Sequence, residues 1–119
     1  MSDTTSLMES VDSLLRVGPE DMIEKTIRNH PYLFKDQTQY RRTLKMVIGK
    51  QYQEQIERLE SHKNEQVPPM AQAERDKCTR FQGELRNSWT AVMDMIDDPK
   101  YFDRIIELIQ NAKASEVHG

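Results

Sequence analysis

Four glycines in 119 residues leave little material for a phosphate-cradling loop, and neither GxGxxG nor a Walker loop occurs. The nucleophile elbow GxSxG and the zinc helix HExxH are missing too. The three histidines, His30, His62 and His118, fall in a connector, near a helix end and in the tail, with no zinc-ligand spacing to any cysteine. There is one cysteine, Cys78, so no intramolecular disulfide can form, which fits a reducing compartment. No apolar run approaches the length of a bilayer span. The opening MSDTTSLMES carries acids and lacks the basic and apolar regions of a signal peptide. Strand-like alternation is absent as well. Together these absences point away from an enzyme, a cofactor, a metal, a membrane and a small-molecule substrate. They lead us to expect a cytoplasmic protein or, if it is viral, one of the infected-cell cytoplasm or the virion.

What the chain does have is charge and helical period. Charged residues make up 31% and hydrophobic ones 36%, a balance suited to long helices with wet outer faces. The net charge of −3 gives no general attraction for nucleic acid, so any such attraction must come from a local patch. The length suits one helical domain, 1–119.

An N-terminal helical segment is expected over 1–36. Leu7, Val11, Leu14 and Leu15 make one apolar stripe ending at Gly18, and Pro19 opens a second helix with Met22, Ile23, Thr26 and Ile27 on its inner face. Pro31 stops that helix, and the apolar connector PYLF follows. A long hairpin is expected over 37–97. Asp36 is placed to cap its first helix, with Gln39 three residues on as in a capping box. Tyr40, Leu44, Val47, Ile48, Tyr52, Ile56 and Leu59 form one seam, and Cys78, Phe81, Leu85, Trp89, Val92 and Ile96 form the other. Pro68 and Pro69 break the chain between them. Asp98 and Pro99 start a closing helix, 98–113, and 114–119 is a polar tail. The fold class is therefore all-α: a long antiparallel helical hairpin with shorter N-terminal and C-terminal helices packed on it.

Folding the hairpin about Gln66 brings Gly49 level with Gly83, Tyr52 level with Arg80 and Phe81, and Leu44 level with Ser88 and Trp89. Each helical glycine costs about 1 kcal/mol against alanine, so a shared level suggests close backbone approach or an aromatic resting in a notch, with Tyr52 and Phe81 the nearest candidates. Two tolerated glycines on wet faces is the plain alternative.

Candidate site residues fall in two groups. Leu7, Val11, Leu14, Tyr32 and Phe34 are expected to form a protein-binding surface from the leftover stripe of the N-terminal helices and the HPYLF connector. Arg41, Arg42, Lys45, Lys50, Arg80 and Arg86 could form a basic band for nucleic acid, a band that receives an acidic partner helix or the acidic N-terminal segment of a neighbouring copy, or simply a solvated helix face. Cys78 reads as a buried inert thiol, and Asp97 and Asp98 as capping residues. The expected function is a non-enzymatic helical interaction protein, an adaptor, chaperone or assembly factor. Its partner is another protein or itself, since long helices with a small core often self-associate into a homo-oligomer. The alternative is an accessory nucleic-acid-binding protein of the replication or recombination type.

Overall fold

Proline and glycine punctuate the chain where the helices end. The computed structural model describes residues 2–64 and 71–118, which form five α-helices and, among the described residues, no strand. They are α1 (Ser2–Arg16), α2 (Pro19–Asn29), α3 (Tyr40–Asn64), α4 (Gln72–Asp97) and α5 (Phe102–His118). The all-α hairpin architecture is as expected, with α3 against α4 as its spine and α1, α2 and α5 packed on it. The turn about Gln66, with Pro68, Pro69 and Met70, lies outside the described residues.

Gly18 is extended, as a residue before proline must be, and its carbonyl accepts the first bond of α2 from the Met22 amide at 2.9 Å. Glu20 and Asp21 occupy the first turn of α2, where the helix dipole favours negative charge. Asp36 does cap, accepting from the Thr38 amide at 3.1 Å, but what it caps is a 3-10 turn over Gln37–Gln39. The α-helix proper begins at Tyr40, and the Gln39 side chain does not return a capping-box bond. At the other end α5 is longer than expected. Asp98 caps a 3-10 turn, Pro99–Tyr101, and the helix then continues through His118, so most of the expected tail is helical.

The core is one cluster. Leu44, Ile48, Tyr52 and Leu59 of α3 meet Cys78, Leu85, Val92 and Ile96 of α4, with Met22, Ile23 and Ile27 of α2 and Ile105 and Ile109 of α5 closing it. The register of the hairpin differs from the expected one. Gly49 faces Trp89, six positions beyond Gly83, and a Cβ on Gly49 would sit 3.2 Å from the indole ring. Trp89 in turn stacks nearly parallel on the buried Tyr52, with ring centroids 6.3 Å apart. The notch and its aromatic are therefore real, but the aromatic is Trp89. Gly83 has open space where a side chain would point.

Polar links hold that register at both ends. Arg75 of α4 donates to the Lys63 carbonyl at the C-terminal end of α3, at 2.8 Å. Arg41 of α3 donates to the Ile96 carbonyl at the end of α4, at 3.0 Å, and its guanidinium lies 4.3 Å from the Phe102 ring centre. Each long helix thus has its last carbonyls, which lack intrahelical donors, bound by an arginine of the other. Between these caps the buried Gln82 donates to the Ile56 carbonyl at 3.2 Å and to Glu60 at 3.0 Å, and accepts from Lys63 at 3.1 Å. The Gln82, Asn64 and Lys63 hydrogen bonds hold the Glu60 carboxyl below its usual range.

Two tyrosine hydroxyls, of Tyr52 and Tyr101, are buried without a hydrogen-bond partner. Burial pushes the Tyr101 phenol from 10.0 up to about 12, with Glu20 and Glu24 adding to the rise and Arg104 opposing it; burial also raises Tyr52. Below pH 10 both folded and unfolded chains keep these protons. From pH 10 to about 12 only the unfolded chain releases the Tyr101 proton, so stability falls as the pH climbs through that window. Tyr101→Phe is expected to flatten this loss while leaving stability at pH 8 equal or higher, because it removes an unpaired buried hydroxyl. Urea denaturation at pH 8 and pH 11 checks this; parallel losses in both proteins would refute it.

Candidate functional site

The turn after α2 decides which side chains face water. Pro31–Leu33 is a 3-10 turn, in which residues three apart lie over one another. Pro31 and Phe34 therefore share the buried side, and Tyr32 and Leu33 are left outside. Phe34 is fully buried, edge-on to Tyr40 at 6.0 Å between ring centres. Tyr32 is 57% exposed and Leu33 38%, and the His30 ring holds the Tyr32 hydroxyl at 3.2 Å. On α3, Met46 lies on the face turned away from α4 and is 66% exposed.

These three are the exposed large hydrophobic residues among the described ones, and all three line one hollow of about 420 Å³. Its walls are the end of α2, the Pro31–Leu33 turn and the outer face of α3, with Lys25, His30, Val47, Lys50 and Glu54 completing them. A second hollow of about 280 Å³ shares Lys25, Gln51 and Glu54 with the first and continues past Leu14, Val17 and Met22. The two form one groove along α3, from Met46 to Gln55. A separate hollow of about 630 Å³ lies on the far side of Tyr32, between α2 and α5, with Asn29, Asn111, Ser115 and Glu116 in its lining. Of the three exposed apolar side chains it holds only Tyr32.

The expected protein-binding residues divide accordingly. Leu7, Val11 and Phe34 are buried inside this chain and present no surface. The stripe of α1 is not left over, because α1 packs into the angle of α3 and α4 and spends Leu7 and Val11 there. Leu14 and Tyr32 do line the groove. Leu33 and Met46 were not foreseen. The available signal was Met46 itself, an apolar residue at the polar phase of α3, between Arg42 and Lys50 at steps of four.

The six cations do not gather at one level. Arg41 is bound to the Ile96 carbonyl, and Lys45 pairs with Asp97 at 2.9 Å. Arg80 lies two residues before Gln82, which bonds Glu60, so it sits near the opposite end of the hairpin from Arg41. Sixteen residues of α4 separate Arg80 from Ile96, roughly 24 Å of helix. The expected level for Arg80 came from the wrong register. Arg42, Lys50 and Arg86 are exposed, and Lys50 lines the groove.

Positive charge is concentrated in the segment that carries the groove's apolar residues, and of its cations Lys25 and Lys50 line the groove. From Lys25 to Gln53 the chain carries seven lysines and arginines and one acid, Asp36; the remainder carries ten and nineteen. Tyr32, Leu33 and Met46 lie inside that basic segment, in a protein of net charge −3.

For chemistry, the described residues contain no group of three His, Cys, Asp or Glu side chains placed to hold a metal ion. Cys78 is buried, and its desolvation raises the thiol pKa, opposed by Lys63 and other nearby cations, so a reactive thiolate is disfavoured. No described helix is long and apolar enough to cross a membrane. Protein-family models give no match to this chain, and neither the curated proteins nor the solved structures give one.

Proposed function

We propose that this is a non-enzymatic interaction protein, an adaptor, chaperone or assembly factor, that docks its partner in the groove between α2 and α3. One observation carries the reading: the exposed large apolar side chains of the described residues converge on a single hollow. Scattered surface apolar residues need no explanation, whereas a contiguous apolar patch in a concave, polar-rimmed site is what partner binding uses. Leu14, Tyr32, Leu33 and Met46 are its contact residues, in a cytoplasmic or virion setting. The partner is another protein or a second copy of this chain.

Accessory nucleic-acid binding is the second reading, supported by the charge concentrated between Lys25 and Gln53. It has less support than docking, because Arg41 and Lys45 are committed to bonds within the hairpin.

A photo-crosslinking amino acid at Met46 tests the docking reading in the cell that makes the protein. A discrete adduct is expected from Met46, lost when Leu33→Asp is added, and absent when the crosslinker replaces Arg86 on α4. The same products from both positions, or none from Met46, would refute it. An adduct at twice the chain mass identifies the second copy as partner.

A further inference from the structure

We infer that the occupant of this groove is a short acidic amphipathic helix of a different protein. The inference rests on the docking reading above and narrows its partner.

The first argument is charge. Lys25 and Lys50 line the groove and form no ion pair within the described residues, and Arg42 stands one turn before Met46. Glu54 is the one acid lining the first hollow. The lining of the two hollows together carries Lys25 and Lys50 against Glu54, a positive balance in a chain that is net negative overall. An occupant with acids beside its apolar face is attracted to this pole; a basic one is repelled.

The second argument is against a second copy. Every exposed large hydrophobic among the described residues already lines the groove, so the described residues of another copy offer no separate apolar knob to insert. A two-fold contact of the groove with itself would bring the two basic poles together. A different protein escapes both objections.

The third argument is shape. The two hollows share Lys25, Gln51 and Glu54 and run beside α3 from Met46 to Gln55, roughly 14 Å by the helical rise. That length accepts two to three turns of a helix lying along the groove, with apolar anchors at i, i+3 or i+4, and i+7. The apolar floor also favours such a segment over nucleic acid, for which this groove offers a single exposed aromatic ring, Tyr32.

The test uses a displayed library of random 16-residue peptides, selected on the full-length protein and counter-selected on the Met46→Asp variant. Met46 is exposed, so the variant is expected to fold, and circular dichroism verifies that. Groove-dependent clones are expected to carry apolar residues at helical spacing and an excess of Asp and Glu. Lys25→Glu with Lys50→Glu should weaken those clones at least tenfold, and their affinity should fall with added salt. Groove-dependent clones that are neutral or basic would overturn the acidic partner while leaving docking intact. An absence of groove-dependent clones would overturn docking as well. A single-stranded 20-mer oligonucleotide that binds more weakly than the clones supports the inference. One that binds more tightly, sensitive to Lys25→Glu and Lys50→Glu but not to Met46→Asp, overturns it in favour of nucleic acid.

Discussion

Gly49→Leu should lower stability by about 2 kcal/mol, while Gly83→Ala should raise it by up to about 1 kcal/mol. The two glycines occupy comparable places in long helices, and helix propensity alone predicts a gain at both. Packing separates them. A bare Cβ at Gly49 already lies 3.2 Å from Trp89, whose ring is also stacked on the buried Tyr52 one turn further along α3. Leucine has high helix propensity, so its cost at Gly49 isolates the over-packing that follows when the indole must move in a dense core. At Gly83 nothing lies within 4 Å, and the alanine methyl keeps the propensity gain. For a domain of this size the shifts in Tm are roughly −8 °C and +4 °C. Thermal melts of the two variants decide the matter. Equal shifts of the same sign would mean that Gly49 does not face Trp89 and that the hairpin register is different.

Arg41→Ala should cost about 2 kcal/mol, against less than about 0.5 kcal/mol for its neighbour Arg42→Ala. Arg41 makes a charge-assisted bond to the Ile96 carbonyl and covers the Phe102 ring, and alanine removes both. Arg41→Lys recovers only part, since an ammonium cannot donate through a planar fork while lying flat on a ring. Lys45 and Asp97 add little, because both ends of that pair are substantially exposed. Chemical denaturation of the three variants measures this, and indistinguishable midpoints for Arg41→Ala and Arg42→Ala would remove the cap from the picture. The result bears on function too. A charge reversal at Arg41 would loosen the fold itself, so lost nucleic-acid binding in such a variant would say nothing about contact. Arg42, Lys25 and Lys50 are the positions at which a charge test is clean.

Helix positions were legible because their signals are local. Gly18 and Pro19, Pro31, Asp36, and Asp98 with Pro99 each act within a turn of where they stand. The seams were legible as well, since burial of Leu44, Ile48 and Tyr52 on one side and Leu85, Val92 and Ile96 on the other follows from period alone. The register between them was not. It depends on where the chain turns and on which side chain fills the space over Gly49, and neither is a property of one helix. The site failed for related reasons. Counting residues along PYLF does not tell whether the turn is extended or 3-10, and that choice sends Phe34 inward and Tyr32 and Leu33 outward. The α1 stripe looked spare only because the room between α3 and α4 was not visible in the sequence.

The paired arginine caps have a consequence for how the groove would accommodate the proposed partner. Sliding α3 along α4 by one turn, about 5.4 Å, would pull Arg75 off Lys63 and Arg41 off Ile96 together. The two helices therefore resist shear as a unit, and α3 serves as a fixed rail. The opposite wall, with Tyr32 and Leu33, is a three-residue turn anchored by the buried Pro31 and Phe34. Adjustment to an incoming segment falls to the rotamers of Tyr32, Leu33 and Met46 on that wall and rail. Amides of the Pro31–Leu33 turn should then gain protection from hydrogen exchange on binding, while those of the α3 interior change little.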